Sequence, residues 1–104
     1  MASTGGYEDL GDRLKRYALR IVRLFTSLPK SPEAQLIGRQ FLKSGTSGGA
    51  HHREAKRARS RAEFVSKMGG GLQELEETAY WLETVALCAV VRVARGVIAA
   101  HRNR

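Results

Sequence analysis

Residues 42–64 hold most of the side chains that could do chemistry in this chain: a glycine and hydroxyl stretch, two adjacent histidines and a dense basic run. The stretch SGTSGGA invites comparison with a phosphate-binding loop. That loop needs two glycines spaced around four residues and then Lys-Ser or Lys-Thr, all after a strand. Here Lys43 precedes the glycines, and no strand is predicted. Small residues at a contact between two helices explain the stretch better than a nucleotide site does.

The adjacent pair His51 and His52 does not predict a metal site. Neighbouring residues on a helix point to different faces, and zinc sites use spaced sets of His and Cys ligands. Glu54 lies close in sequence, but Glu and His without a nucleophile do not make a catalytic set. A surface or interface role is the better interpretation of these three residues.

Three closely spaced glutamates raise the question of paired catalytic carboxylates. On a helix, Glu74 and Glu77 are neighbours on one face, whereas Glu76 is turned away. A solvated acidic patch, or partners for Arg and Lys, is the simpler interpretation. The sequence therefore predicts no catalytic, cofactor-binding or metal-binding residue, and we expect a protein that is not an enzyme.

Positive charge dominates the chain: 18 Lys and Arg against 10 Asp and Glu give +8, with a pI near 10.4. Residues 39–67 contribute +6 of this charge, and four arginines recur at steps of three and four in the first apolar-periodic segment. Such surfaces favour polyanionic partners, including RNA and DNA phosphates. The candidate nucleic-acid-binding residues are Arg13, Arg16, Arg20, Arg23, Lys43, Arg53, Lys56, Arg57, Arg59 and Arg61.

Two functions remain open for these charges. In the first, a basic oligomeric bundle binds the phosphate backbone of RNA or DNA, or assists a protein that processes nucleic acid. In the second, the chain is a protein–protein interaction scaffold whose charges serve subunit or partner contacts. No aromatic residues are interleaved with the basic ones for base stacking, so any nucleic-acid binding should be led by the backbone and show little sequence preference.

Composition limits the fold and the compartment. A chain of 104 residues with 42% hydrophobic content and no alternating Val/Ile/Thr runs predicts one all-α domain, over residues 7–104. Residues 1–6 predict a disordered tail with no apolar signal region.

The single Cys88 fits a reducing cytosol, and its apolar surroundings predict a buried structural thiol. The apolar segment 85–91 is too short to span a bilayer, so we expect a cytoplasmic protein with no membrane role.

Three helices are clear from the periodicity. Apolar residues recur at steps of three and four from Leu10 to Leu28, which predicts the first helix. Ser31 can form the N-cap of the second helix, with Pro32 at the first position of that helix. Glycines inside a helix are costly, so we expect this second helix to continue to about Ala55 either kinked or tightly packed.

The third helix begins at a capping box, Ser60 to Glu63, and carries an apolar stripe from Phe64 to Ala86. Its glycine run, 69–71, indicates a neighbouring backbone close by. The segment 85–101 has no clear break before its glycine, so it could extend the third helix or form a short fourth one.

Residues 38–83, GRQFLKSGTSGGAHHREAKRARSRAEFVSKMGGGLQELEETAYWLE, resemble the centre of the bacterial four-helix bundle proteins, also called the 23S rRNA-intervening sequence protein family. The resemblance extends over roughly residues 7–84. It implies an up-and-down antiparallel bundle, cytoplasmic, often a homopentamer, with no established enzymatic activity. A related branch is similar to the basic accessory subunit of diversity-generating retroelements, so RNA, DNA or a reverse transcriptase is an implied partner.

The C-terminal segment departs from that family pattern. Members usually have a turn after the third helix and then a full fourth helix, whereas here the residues after Glu83 are few and include no acidic one. We therefore expect a short or degenerate fourth helix. The apolar face left exposed beside it has to find a partner, which predicts a self-associating bundle, a homo-oligomer.

Overall fold

The structure, a computed structural model, describes residues 9–102 as three helices joined by two short turns. Helix α1 spans Leu10–Thr26, α2 spans Pro32–Lys56 and α3 spans Arg61–Arg102. No strand occurs in this range, and the predicted all-α class is confirmed. The predicted disordered tail, residues 1–6, lies outside the described residues.

Both predicted helix caps are present. The Ser31 hydroxyl oxygen accepts a hydrogen bond from the Ala34 N–H at 3.4 Å, and a proline follows at the first position of α2. At the start of α3, the Ser60 hydroxyl oxygen accepts from the Glu63 N–H at 3.0 Å. The Glu63 carboxylate accepts from the Arg59 N–H at 2.7 Å, so the reciprocal bond of the capping box forms one residue earlier than predicted.

The glycines of α2 allow α1 to pack closely against it. A Cβ atom on Gly38 would lie 2.6 Å from the Leu28 side chain, and one on Gly45 would lie 2.9 Å from the Ile21 side chain. Leu28, just beyond the end of α1, follows Ile21 in the chain, whereas Gly38 precedes Gly45 along α2, so the two helices are antiparallel. The prediction of a tightly packed helix that continues through its glycines is confirmed.

The same helix packs against α3 on another side. A Cβ atom on Gly71 would lie 3.5 Å from the Gly48 carbonyl oxygen, so the two backbones approach closely there. The Ser44 and Thr78 hydroxyls lie 2.7 Å apart in a buried hydrogen bond. The order of these contacts makes α2 and α3 antiparallel as well. Helix α2 is thus the central element of an up-and-down arrangement.

The buried core of the described chain is small. Its buried hydrophobic side chains are Ile21, Phe41 and Ala55, and the largest side chains with almost no exposure are Phe41 and Thr78. Leu36, an apolar residue of α2, does not join this core and is 61% exposed. On the helix it lies two residues, or about 200°, away from the glycine that packs against α1.

Helix α3 is much longer than its partners. Its 42 residues extend about 63 Å, against about 38 Å for the 25 residues of α2. We call residues 86–102 the C-terminal arm; every arm residue whose burial is described is exposed. The arm extends α3, so the short or degenerate fourth helix that we expected is not found among residues 9–102. One interior glycine costs only about 1 kcal/mol, which does not stop a helix rich in alanine.

Cys88 lies in the C-terminal arm and is exposed. The predicted buried thiol was therefore wrong, because no described helix packs against this part of α3. In the part of the chain that the structure describes, no helix combines the length and hydropathy required to cross a membrane.

Candidate nucleic-acid interface

Five of the ten predicted phosphate-binding residues meet where α2 turns into α3. Arg53 and Lys56 lie in the last turn of α2, Arg57 follows as its C-cap, Arg59 lies in the turn, and Arg61 begins α3. All five side chains are exposed. We call them the turn cluster. Their proximity in sequence brings five cations to one end of the bundle.

The C-terminus of α2 stabilises the positive charge of the turn cluster. The Arg57 N–H donates to the Glu54 carbonyl oxygen at 3.1 Å, and the Ala58 N–H donates to the Ala55 carbonyl oxygen at 3.0 Å, so the last turn closes tightly. Carbonyl groups at a helix C-terminus carry partial negative charge, and nearby cations are stabilised by it. The helix end therefore offsets part of the repulsion within the turn cluster.

One acidic side chain beside the turn cluster is already paired. The Glu54 carboxylate lies 3.0 Å from the Lys67 ammonium group and joins α2 to α3. The hydrogen bond from Lys67 and its positive charge lower the pKa of Glu54 below its ordinary value, with a smaller contribution from His51. Among residues 9–102, no cation of the turn cluster makes an ion pair. Their charge is open to an external anion.

Replacing Glu54→Gln should lower the stability of the bundle slightly at neutral pH, because the pair is exposed to solvent. A lowered folded-state pKa means that the contribution is complete above the ordinary carboxyl pKa and is lost as pH falls through the folded-state value. Thermal melts of parent and variant should therefore differ at neutral pH and coincide in strong acid. Glu77→Gln, at an exposed carboxylate with no ion pair among the described residues, is the control. A difference that persisted in acid would contradict the assignment.

The other four arginines that recur at helical steps form what we call the α1 ridge. They are Arg13, Arg16, Arg20 and Arg23, and all four are exposed. Because α1 contacts α2 through the side that carries Ile21, these steps place the ridge on one flank of α1, beside that contact. The ridge extends about 15 Å along the helix.

The structure does not bring all ten predicted residues together. Lys43 is exposed but lies about 20 Å along α2 from Lys56, outside the turn cluster. Gly11 lies beside His52, so the start of α1 is at the same end of the bundle as the turn cluster. Arg13 is therefore the residue of the α1 ridge nearest to the turn cluster, and the other three arginines lie progressively farther from it.

A cleft of about 470 Å³ between α1 and α2 adds a cation that the sequence reasoning missed. Lys15 lines this cleft together with Arg53 and Lys56 of the turn cluster, and Asp9 and Asp12 line it too. Lys15 does not fall on the three- and four-residue steps of the α1 ridge, so periodicity gave no reason to count it among the phosphate-binding residues. Only the pairing of α1 with α2 brings it beside Arg53.

The two histidines face different helices, as predicted. The ring of His51 lies against Gly70 of α3, and its Nδ1 atom is buried without a hydrogen-bond partner in the described chain. The ring of His52 lies against Gly11 of α1. Within residues 9–102, no group of three or more His, Cys, Asp or Glu side chains is placed to hold a metal ion.

Fold and surface together define a small, basic, antiparallel helical-bundle protein. The chain belongs to the 23S rRNA-intervening sequence protein family, whose model matches residues 12–95. It is similar to a crystal structure from Bacteroides thetaiotaomicron VPI-5482, described as a protein with unknown function from the S23 ribosomal protein family. The two are 42% identical with a TM-score of 0.69, over 74% of this chain and 71% of the other. No curated protein matches the chain. Neither description names a catalysed reaction.

Proposed function

We propose that this protein binds the phosphate backbone of RNA or DNA through the turn cluster, without catalysing a reaction. One observation carries the proposal: five exposed cations lie between Arg53 and Arg61, and none makes an ion pair within residues 9–102. The nearby Glu54 is already occupied by Lys67. Arginine and lysine side chains in this state are suited to phosphate oxygens.

The α1 ridge provides a second surface for the same polyanion. It starts at the end of the bundle that carries the turn cluster, so one nucleic-acid strand or duplex can contact both. Contacts of this kind position a backbone and carry no sequence information. Presenting the bound nucleic acid to a processing protein, such as a reverse transcriptase, is the accessory form of this proposal.

A protein–protein scaffold is the second candidate. Exposed apolar side chains favour it: Phe64 on α3 is 44% exposed, and Leu10 on α1 is 42% exposed. The two functions respond differently to salt. Phosphate binding weakens steeply as salt rises, whereas contacts through apolar surface do not weaken.

Binding of labelled RNA and duplex DNA across a salt series tests the proposal. If the five cations of the turn cluster each contact a phosphate of duplex DNA, log Kobs should fall by about 4 to 5 per log unit of salt, at about 0.9 per contact. Arg57→Glu with Arg61→Glu should reduce the slope by about two. It should lower affinity by at least about a hundredfold, because each of the two lost hydrogen bonds to a charged group contributes about 1.5–3 kcal/mol.

Lys30→Glu with Arg39→Glu is the matched control. It changes the net charge equally, but its two exposed residues lie toward the opposite end of the bundle. We expect this variant to keep most of the parent's affinity. Equal losses in both variants would mean that net charge, and not the turn cluster, drives binding. Absence of binding at low salt would overturn the proposal in favour of the scaffold.

A further inference from the structure

The cleft of about 470 Å³ between α1 and α2 has the size of a small-molecule site, since such sites occupy about 300–1,000 Å³. Its lining residues come from the first half of α1, with Asp9 just before it, and from the second half of α2. Around α2, Arg53 lies about 80° from Gly45, which packs against α1, whereas Gly48, which contacts α3, lies about 60° from it in the other direction. The cleft is therefore on the side of the α1–α2 pair that is turned away from α3.

Small residues leave room in this cleft. Four of its lining positions carry no side chain larger than a methyl group: Gly11, Ala18, Gly49 and Ala50. Two of them, Gly49 and Ala50, belong to the stretch SGTSGGA. A Cβ atom on Gly49 would lie 3.7 Å from the Leu14 Cβ atom, which is ordinary van der Waals contact, so the packing of α1 on α2 has space for an alanine there. The stretch does not form a phosphate-binding loop, but its small side chains keep the cleft open.

Three cations line the cleft from both helices. Lys15 belongs to α1, whereas Arg53 and Lys56 belong to α2. All three are exposed, and none makes an ion pair within residues 9–102. Lysine and arginine side chains bind phosphate oxygens well. A terminal phosphate monoester carries a charge of about −1.5 to −2 at neutral pH, whereas each diester of a nucleic-acid backbone carries a single charge. A terminal phosphate is therefore attracted more strongly to these three cations than an internal one.

Two carboxylates in the same cleft restrict the rest of the ligand. Asp9 and Asp12 line the cleft, and Asp12 lies about one helical turn from Lys15. Carboxylates repel a phosphate but accept hydrogen bonds from ribose hydroxyls, as they do in dinucleotide sites. Inorganic phosphate alone would place only negative charge against these carboxylates, whereas a phosphate joined to a ribose places hydroxyl donors there. The charges of the cleft therefore match a ribose phosphate.

We propose that the cleft binds a ribonucleoside 5′-phosphate, either as the phosphorylated end of an RNA strand or as a free nucleotide. Lys15, Arg53 and Lys56 bind the terminal phosphate, and Asp12 accepts a hydrogen bond from a ribose hydroxyl. Where the ligand is an RNA strand, the inference rests on the proposed function, because Arg53 and Lys56 also belong to the turn cluster. The cleft then adds a preference for a strand end and for ribose, which contacts to a phosphate backbone do not provide.

Two forms of one short oligoadenylate RNA test the cleft, one with a 5′-phosphate and the other with a 5′-hydroxyl. The parent protein should bind the phosphorylated form at least about tenfold more tightly, because it gains hydrogen bonds between charged groups. Adenosine 5′-monophosphate should compete with that RNA, and adenosine should not. Tighter binding of the RNA than of the mononucleotide would identify the strand end as the ligand, and equal binding would identify the free nucleotide.

Two variants separate the cleft from net charge. Lys15→Gln removes a cation that lies outside the turn cluster, and Ala50→Leu fills the cleft at an exposed helical position without changing any charge. Both should lose most of the preference for the 5′-phosphate. The preference is a ratio of two affinities measured on the same variant, so a general change in charge or stability cancels. Lys30→Gln is the matched control, since it removes one exposed lysine toward the opposite end of the bundle, and it should keep the parent's preference.

Equal binding of the two RNA forms would overturn the assignment of the cleft and leave backbone binding by the turn cluster intact. A preference that both Lys15→Gln and Ala50→Leu retain would also overturn it. If adenosine 5′-monophosphate binds and neither RNA does, the cleft stands and the proposed function fails; if none of them binds, both fail. The 2′,3′-dideoxy analogue of the mononucleotide should bind more weakly than the parent nucleotide, and equal affinities would contradict the ribose contact with Asp12.

Discussion

Phe41→Ala should destabilise the bundle by about 3–5 kcal/mol, the cost typical of deleting a buried aromatic ring. The side chain of Phe41 is fully buried, and few other side chains share the core with it. The loss combines the transfer free energy of the ring with the cost of the cavity that remains. A domain of this size is stable by only about 5–15 kcal/mol, so one substitution removes a large share.

Urea unfolding at one protein concentration, followed by circular dichroism, measures this loss. Phe41→Leu should cost less, because part of the volume is kept. Leu36→Ala provides the matched control: its side chain is 61% exposed on the same helix, and we expect a change within about 0.5 kcal/mol. Equal effects of Phe41→Ala and Leu36→Ala would mean that Phe41 does not hold the core.

The second large effect is expected at the buried hydroxyl pair between α2 and α3. The Thr78 hydroxyl donates to the Glu74 carbonyl oxygen at 2.8 Å, so Ser44 is the donor in the 2.7 Å bond between the two hydroxyls. Thr78→Val keeps the shape of the side chain but leaves the Ser44 hydroxyl buried without that acceptor. Unfolding experiments should show a loss of about 1–3 kcal/mol.

A double-mutant cycle separates this loss from packing effects. Ser44→Ala together with Thr78→Val removes both polar groups, so it should be more stable than Thr78→Val alone. Thr84→Val is the control, because the Thr84 hydroxyl donates within its own helix, to the Tyr80 carbonyl oxygen. If the two single losses simply added, the bond would not be a coupled pair.

The helix starts could be predicted because their chemistry is local. Ser31 and Ser60 each accept a hydrogen bond from the backbone N–H three residues later, and a sequence pattern contains that whole interaction. The Ser44–Thr78 bond could not be predicted in this way, since its two residues are 34 apart. A serine or threonine inside a helix gives no signal of which distant hydroxyl it will meet.

The glycines show which packing contacts a local sequence pattern cannot predict. Their cost within a helix predicted close packing, and at Gly48 and Gly71 two backbones do approach closely. Gly69 was included in the same prediction, yet a Cβ atom there would meet nothing within 4 Å. The direction in which each glycine faces depends on the pairing of helices, which no single segment encodes.

The turn cluster was accessible from the sequence because its five members lie within nine residues, 53–61. The sequence did not reveal that Lys15 lies beside Arg53, or that Lys43 lies far from the turn cluster, because both facts depend on how α2 packs against its neighbours. Cys88 was misjudged for a related reason. An apolar run predicts burial only if another element covers it, and the described chain places none beside the arm.

Helix α2 organises the bundle, yet it is poorly suited to form alone. It contains four glycines, and each costs about 1 kcal/mol relative to alanine inside a helix. Its helical form is therefore stabilised chiefly by its neighbours. Because synthesis proceeds from the N-terminus, the nascent chain holds α1 and α2 before the residues of α3 that pack on them. We therefore expect α2 to become fully helical only after the residues of α3 as far as Thr78 have been synthesised.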